Sequence, residues 1–213
     1  MKCMIYKSVK LGLAWLLLCN LFGCGATELE ERCFPMVVAV GYEDNGQGVT
    51  YEIGFPRVGT SGEKEPLINE IQVPQVFQES FEKSKEEYEK HLNKEADYNH
   101  LKVLVLEESF IEHKTMYNEM LDVLAKTEDF PRNTYICVVD NIGELMKIEE
   151  NLPQDLGTYL EEYLNNHEEK KQHIVTLGDL LDEKENKELE LMIPFLEVKE
   201  TYVEWMKNYI LSE

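Results

Sequence analysis

Histidines, nucleophilic side chains and paired carboxylates are the residues of this chain that could do chemistry, and their spacing matches no catalytic or metal-binding motif. The histidines are His91, His100, His113, His167 and His173, which show no HExxH or other metal-site spacing. No serine or cysteine lies in a nucleophile elbow, and no glycine-rich loop has phosphate-binding spacing. Adjacent carboxylates such as Glu107 and Glu108 are expected by chance among 42 acidic residues. The sequence therefore predicts no catalytic residue, no metal ligand and no cofactor, and we do not expect an enzyme.

Cys24 is the residue with the most specific chemical role. It ends the sequence Leu21-Phe22-Gly23-Cys24, which resembles a bacterial lipobox, the motif whose cysteine receives a diacylglyceryl group. Three lysines and no acid accompany a short apolar run at 11–19, as in a signal peptide. A membrane-spanning helix needs about 20 apolar residues, and this run is too short. We predict a lipoprotein signal peptide at 1–23 and lipid on Cys24. An ordinary secretory signal cut nearby and an uncleaved anchor are the alternatives.

The remaining cysteines are the next group with specific chemistry. Cys3 and Cys19 would leave with the signal peptide, and Cys24 would carry the lipid. Cys33 and Cys137 would then be the two thiols of a protein exposed outside the cytoplasm, where disulfides persist. A Cys33–Cys137 disulfide is one hypothesis. The other is that Cys137, inside the apolar run TYICVV, is a buried small hydrophobic residue.

The charge of the chain limits its partners. Acidic residues outnumber basic residues by 42 to 21, and the formal net charge is −21. Nucleic acid would be repelled, because its binding depends on lysine and arginine releasing counterions. An anionic bilayer would repel the acidic surface as well. Two acyl chains nevertheless anchor a protein firmly where one is marginal, so we predict contact with the bilayer through Cys24 and no nucleic-acid partner.

The hydrophobic pattern at 35–213 predicts a single α/β domain with a mixed β-sheet, joined to the lipid by a tether at 24–34. An apolar run at 36–41, a turn at 44–48 and alternating residues at 49–55 predict an N-terminal β-hairpin. Continuous apolar runs at about 101–107 and 134–139 predict strands that are buried on both faces. With the helix marked between them they form a βαβ unit, so we expect parallel neighbouring strands joined by a right-handed crossover.

Helices are predicted to flank this sheet. Residues 75–92 have a helical period, with Glu79 and Lys83, and Glu86 and Lys90, spaced as i,i+4 ion pairs. Further helices are marked by apolar residues at helical spacing, namely Tyr117, Met120, Leu121 and Leu124 in one and Leu156, Tyr159, Leu160, Tyr163 and Leu164 in another.

Capping signals and a long loop complete the prediction. Asn141 with Glu144 predicts a cap for a helix through about Glu150, and Thr176 with Asp179 predicts another cap. From Leu189 the pattern becomes strand-like, although the last ten residues fit a strand or a helix equally. The loop at 56–74, rich in proline and glycine, is long enough to be mobile or functional.

Two segments carry a resemblance to a known family. CGATELEERCFPMVVAVGYED (24–44) has a cysteine, then an acidic segment with an arginine, then a hydrophobic strand that ends near an acid. DYNHLKVLVLEE (97–108) has a strand followed by acidic residues, and a helix and the strand TYICVVD (134–140) follow in the same order. In these features, over most of 24–205, the chain resembles the Ger(x)C family. These are the lipoprotein C subunits of bacterial spore germination receptors.

The resemblance implies a non-enzymatic scaffold or interaction subunit, held by lipid on the outer, extracytoplasmic face of the spore inner membrane. It implies two partners, a multi-pass membrane subunit and a second membrane subunit of a nutrient germinant receptor. The chain departs from the family in two ways. Family members are longer, with further domains, and the Trp-Asp that typically follows the lipidated cysteine is here Gly25-Ala26.

Two other functions are compatible with the sequence. A generic extracytoplasmic surface lipoprotein that binds a small ligand or a cation would use the loop at 56–74 as its binding edge. A hydrolase outside the cytoplasm would use two of the many carboxylates, but the sequence singles out none of them.

Overall fold

The computed structural model describes residues 31–43, 48–56, 76–127, 129–167, 174–186 and 191–211. The chain divides into two units, Met1–Glu31 and Arg32–Glu213, and all described residues except Glu31 belong to the second. The predicted signal peptide, Cys24, almost all of the loop at 56–74, and His173 lie outside the described residues, so the predictions made for them stay predictions.

Nine described strands form two sheets. A small sheet pairs β1 with β5, and a seven-stranded mixed sheet has the order β4-β3-β2-β6-β7-β8-β9. The strands are β1 (Arg32–Cys33), β2 (Val37–Glu43), β3 (Gly48–Gly54), β4 (Val76–Gln78), β5 (Glu95–Ala96), β6 (Val103–Glu107), β7 (Tyr135–Val139), β8 (Met192–Val198) and β9 (Val203–Ile210). The strands β2, β6, β7 and β8 run parallel, and β3, β4 and β9 are antiparallel to their neighbours.

Six described helices cover the two faces of the large sheet. They are α1 (Phe81–Lys90), α2 (Glu108–Glu112), α3 (Lys114–Lys126), α4 (Ile142–Ile148), α5 (Leu156–Asn166) and α6 (Leu177–Asn186). Apolar residues of α1, α2, α3 and α6 form one hydrophobic cluster with one face of the sheet. Those of α4 and α5 form a second cluster with the other face. The predicted α/β domain with a mixed sheet and flanking helices is therefore confirmed.

The βαβ unit is the centre of the domain. β6 and β7 are parallel neighbours, aligned from Val103 opposite Tyr135 to Glu107 opposite Val139. Alternate residues of β6 point to the two hydrophobic clusters, which explains the continuous apolar run, because neither face of a central strand meets water. The predicted hairpin is also present, since β2 and β3 pair antiparallel along their whole length.

Capping side chains begin several helices as the sequence predicts. Asn141 Oδ1 accepts a hydrogen bond from the Glu144 amide at 2.8 Å, and α4 continues as a 3-10 helix through Asn151. The Thr176 hydroxyl accepts from the Asp179 amide at 3.3 Å while the Asp179 carboxylate accepts from the Thr176 amide at 2.8 Å, which is a reciprocal cap.

The structure differs from the predictions at two places. The helix predicted to begin at 75 begins at Phe81, after the Ser80 cap. Phe77 lies in β4 instead, where it pairs with Thr50 of β3. Lys90 contacts Glu87 rather than the predicted Glu86. At the C-terminal end, which fitted a strand or a helix equally, β9 pairs antiparallel with β8.

Candidate functional site

The two segments that carry the family resemblance meet at the amino ends of β2 and β6. We call residues 32–36 the entry segment, because the second unit of the chain starts at Arg32. Arg32 Nη1 donates to Asp97 Oδ2 at 2.8 Å, and the two side chains are 30% and 14% exposed. Beside this pair, β1 and β5 run parallel, and the Asp97 amide donates to the Cys33 carbonyl at 2.8 Å. The entry segment is therefore held by one ion pair and by backbone hydrogen bonds, an arrangement that we call the entry clamp.

Asp97 is the acceptor at the centre of the entry clamp. Its other oxygen, Oδ1, accepts from the Asn99 amide at 3.1 Å and from the Asn99 side chain at 2.7 Å, which caps a 3-10 helix, Tyr98–His100. Burial acts to raise the pKa of the Asp97 carboxyl. The hydrogen bonds from Asn99 and from Arg32 outweigh burial and hold this pKa below its ordinary value.

Tyr98 connects the entry clamp to the hydrophobic core. Its hydroxyl donates to Glu89 at 2.7 Å and accepts from the Tyr51 hydroxyl at 3.0 Å. Its ring stacks on Phe130 with 4.6 Å between ring centroids. Burial raises the pKa values of both tyrosines well above the ordinary value, so both hydroxyls stay protonated and act as donors. A displacement of the 3-10 helix would break this buried network.

Met36 carries the entry segment into β2 and also contacts α5. Its carbonyl accepts from the Lys102 amide at 3.0 Å, and the Lys102 ammonium lies 2.5 Å from a Glu161 oxygen. A Cβ atom at Gly157 would come within 2.4 Å of the Met36 carbonyl oxygen, so only glycine permits this approach. The entry segment is thus fixed from β6 and from α5 as well as by the entry clamp.

The carboxyl ends of the parallel strands are the usual place for a ligand in an α/β sheet. Glu107, at the end of β6, accepts from the Tyr42 amide at 3.3 Å, from the Ile142 amide at 3.2 Å and from the Ser109 hydroxyl at 2.8 Å. These contacts use both carboxylate oxygens to join β2, β6 and the start of α4. Glu107 is therefore engaged in holding the fold together.

A groove of about 420 Å³ lies beside the first turns of α1 and α3. Glu79, Ser80, His113 and Glu119 are among its lining residues, and Glu119 accepts from the Phe81 amide at 3.2 Å. The groove combines two acids with one lysine, Lys114, and contains no group of metal ligands: among the described residues, no three His, Cys, Asp or Glu side chains could hold a metal ion together.

The described histidines are spread over the domain. His91, His113 and His167 each follow a helix, and each places Nδ1 2.8 Å from the carbonyl oxygen four residues earlier. His100 meets the Phe34 ring edge-on at 5.2 Å between centroids. Three of the four described histidines therefore lie at the C-terminal ends of helices.

Cys33 and Cys137 are both free thiols in the structure. They lie in different hydrophobic clusters, Cys33 with the residues on one face of the sheet and Cys137 with those on the other. The disulfide that the cysteine count suggested is therefore not formed, because the sheet separates the two sulfurs. Cys137 is instead a fully buried small residue, as the other hypothesis predicts. Burial raises the pKa of its thiol to about 12.

The fold and the entry clamp define a single α/β domain that is fixed where the chain enters it. Residues 25–198 match the family described as "Spore germination protein N-terminal domain", and the chain belongs to this family. The predicted membership of a spore germination family is thereby confirmed. No curated protein and no solved structure matches the chain. None of the helices described in the structure is both long enough and apolar enough to cross a membrane.

The sequence does not predict the contact between the two segments of the entry clamp. Arg32 and Asp97 are 65 residues apart, and both are charged residues in a chain with many charges. The available signal is that Arg32 and Asp97 each lie a few residues before an apolar strand, β2 or β6, within the two family-like segments.

Proposed function

We propose that this spore germination protein is a lipid-anchored, non-enzymatic subunit of a nutrient germinant receptor. The observation that carries the proposal is the start of the family match at residue 25, directly after the cysteine of Leu21-Phe22-Gly23-Cys24. The lipobox-like motif thus ends where the family match begins. A lipid on Cys24 would hold the domain on the extracytoplasmic face of the spore inner membrane.

The entry clamp supports an anchoring role for the segment before it. Only seven residues separate Cys24 from Arg32. Any pull on the lipid would reach the domain at Arg32 and would be resisted by Asp97, by the backbone contacts of Cys33 and by the packing of Met36. The entry clamp thus gives the tether a fixed point of attachment on the domain.

A non-enzymatic role is supported by the use that the fold makes of its polar groups. Glu107 lies where an α/β enzyme commonly places catalytic side chains, but two backbone amides and a hydroxyl occupy its oxygens. Its contacts are those of a structural residue. The partners of the proposed receptor are a multi-pass membrane subunit and a second membrane subunit.

Substitution of Cys24 tests the anchoring. In spores, Cys24→Ala should remove the protein from the membrane fraction and reduce germination in response to nutrients. Cys19→Ala, a change in the predicted signal peptide, is the matched control and should leave both unchanged. Membrane attachment of the Cys24→Ala protein would contradict the lipid anchor. Unchanged germination of a deletion strain that has no other receptor would contradict the receptor role.

Copurification tests the partners. The tagged protein should be crosslinked in intact spore membranes, purified and analysed by mass spectrometry. We expect a multi-pass membrane protein among the crosslinked products of the wild-type chain, and its loss in the Cys24→Ala strain. Recovery of the lipidated protein without any membrane protein would contradict the proposed receptor assembly while leaving the anchor intact.

A further inference from the structure

The two ends of the parallel strands differ strongly in charge. At the carboxyl ends, the described residues 43, 107–114, 140–144 and 197–204 hold nine acids and two lysines. The acids are Glu43, Glu107, Glu108, Glu112, Asp140, Glu144, Glu197, Glu200 and Glu204. We call this end of the domain the carboxyl-end surface. Its excess negative charge would be repelled by an anionic bilayer.

The opposite end is nearly neutral. The amino-end surface is formed by the described residues 32–36, 91–102, 127 and 129–134, together with Glu161 and Asp182, which pair with two of its bases. It carries four basic residues against five acids. Much of this charge is paired: Arg32 with Asp97 at 2.8 Å, Lys102 with Glu161 at 2.5 Å, and Arg132 with Asp182 at 2.6 Å. An anionic bilayer would therefore repel the amino-end surface far less than the carboxyl-end surface.

The chain enters the domain at this nearly neutral end. Arg32 follows Cys24 by eight positions, so the chain between them spans about 28 Å at most when fully extended. The seven residues of β2 cover about 23 Å between the two ends of the sheet. The tether would have to be almost fully extended along the domain for the carboxyl-end surface to reach the bilayer. With the amino end towards the bilayer, the acids lie more than two Debye lengths of about 8 Å away.

We propose that the amino-end surface faces the lipid bilayer and that the acidic carboxyl-end surface points away from it. This orientation rests on the proposed lipid on Cys24 and adds to it the surface that approaches the membrane. It leaves the carboxyl-end surface as the one that is accessible to solutes and to other proteins.

Fluorescence quenching by labelled lipids tests the orientation. The lipidated protein is reconstituted into vesicles of phosphatidylcholine and phosphatidylglycerol that contain a headgroup quencher. Single cysteines that carry a fluorophore are introduced at exposed, uncharged positions by Asn93→Cys and Asn133→Cys at the amino end and by Thr201→Cys at the carboxyl end. Cys33 and Cys137 are buried, and the chain without an introduced cysteine measures their background labelling.

We expect quenching at positions 93 and 133 to exceed that at position 201 by about twofold or more, because position 201 lies at the other end of the sheet, about 23 Å farther from the headgroups. Replacing Glu200 and Glu204 by glutamine should reduce this contrast, and the matched change Glu95→Gln at the amino end should not. Equal quenching at all three positions, or stronger quenching at position 201, would overturn the orientation alone. Failure of the wild-type protein to float with the vesicles would instead overturn the proposed lipid anchor and the orientation with it.

Discussion

Arg32 and Asp97 show how a single ion pair can matter when it is partly buried and its carboxylate accepts several hydrogen bonds. Asp97 receives hydrogen bonds from Arg32 and from Asn99, caps a 3-10 helix and is itself mostly buried. Its loss would leave the Arg32 guanidinium half-buried without its acidic partner, which costs more than the loss of an exposed pair.

Asp97→Ala should lower the free energy of unfolding by about 2 kcal/mol, because a charge-assisted hydrogen bond and a cap are lost together. The matched control is Asp182→Ala, which removes an Arg–Asp pair of similar length, 2.6 Å, whose side chains are mostly exposed. Urea unfolding monitored by circular dichroism measures both. Equal losses in the two variants would contradict the special role of the entry clamp.

The pH dependence of Asp97 has a defined sign. Because its pKa in the folded state is lowered, its stabilising contribution is complete above the unfolded value of about 3.9 and disappears as the pH falls through the lower folded value. The difference in stability between the wild type and Asp97→Asn should therefore shrink on acidification below about pH 4.

Glu52 should show the opposite behaviour. Burial raises the pKa of its carboxyl, and the nearby Glu107 adds to this rise. The folded state therefore holds the Glu52 proton more tightly than the unfolded state, and stability falls as the pH rises from about 4.3 through the raised value. Glu52→Gln should make the protein more stable at pH 7 than the wild type and should flatten this fall. Thermal unfolding at pH 4 and pH 7 measures the effect.

Glu185→Gln is the control for Glu52→Gln, because it removes one negative charge from an exposed position on α6. It should change stability only slightly at either pH, because it acts through the net charge alone. If both glutamine variants respond identically to pH, the environment of Glu52 is not responsible for the effect.

Helix α5 contacts the entry segment at Met36, and Gly157 of this helix allows a direct test of that contact. Glycine in a helix is normally destabilising, so alanine usually improves stability by up to about 1 kcal/mol. At Gly157 the added methyl would meet the Met36 carbonyl oxygen at 2.4 Å and its carbon at 2.6 Å, both backbone atoms. We expect Gly157→Ala to destabilise the domain by about 1–3 kcal/mol because the backbone must shift.

Gly143 provides the matched control, since it has the same position in the first turn of α4 as Gly157 has in α5. A Cβ atom there would meet only the Asn141 side-chain oxygen, at 3.3 Å. Gly143→Ala should therefore be neutral or slightly stabilising in the same urea titration. Destabilisation of both variants to the same degree would indicate a helix effect rather than the approach of Met36.

The elements differ in how well the sequence predicts them. Continuous apolar runs identify β6 and β7, because central parallel strands exclude water from both faces. The predicted start of α1 is too early because Phe77 fits a helical face as well as a strand. Only the pairing of Phe77 with Thr50 distinguishes the two structures. β9 was ambiguous because a register shift opposite Phe195 and Leu196 breaks its alternation near Met206.

The candidate site was less predictable than the fold. Its carboxylate, guanidinium and carbonyl groups come from segments that are far apart in the chain, and such pairing leaves no periodic signal. The same holds for the buried Tyr51–Tyr98–Glu89 network, which depends on side-chain directions that only the packed sheet determines. The number of cysteines does not predict a disulfide either, because Cys33 and Cys137 lie in different hydrophobic clusters.

At the scale of the whole molecule, the physical domain extends beyond the family match. The match ends at residue 198, at the last residue of β8. β9 follows, pairs with β8 from Met192 opposite Ile210 to Val198 opposite Val203, and buries Val203. Its backbone also reaches α5, since the Trp205 amide donates to the Tyr163 hydroxyl at 2.9 Å and the Val203 amide to the Tyr159 hydroxyl at 3.3 Å.

A chain that ends at Lys199 should therefore be far less stable than one that ends at Leu211, although both contain all matched residues. Removal of β9 exposes an edge of β8 and uncovers apolar side chains around Leu196, a loss of about 3 kcal/mol or more, and an exposed hydrophobic edge strand promotes aggregation. We expect the shorter chain to lose cooperative thermal unfolding and to aggregate in size-exclusion chromatography, while the longer one behaves like the full chain. Equal unfolding midpoints for the two chains would show that β9 is an appendage, and that the family match already encloses everything the domain needs to fold.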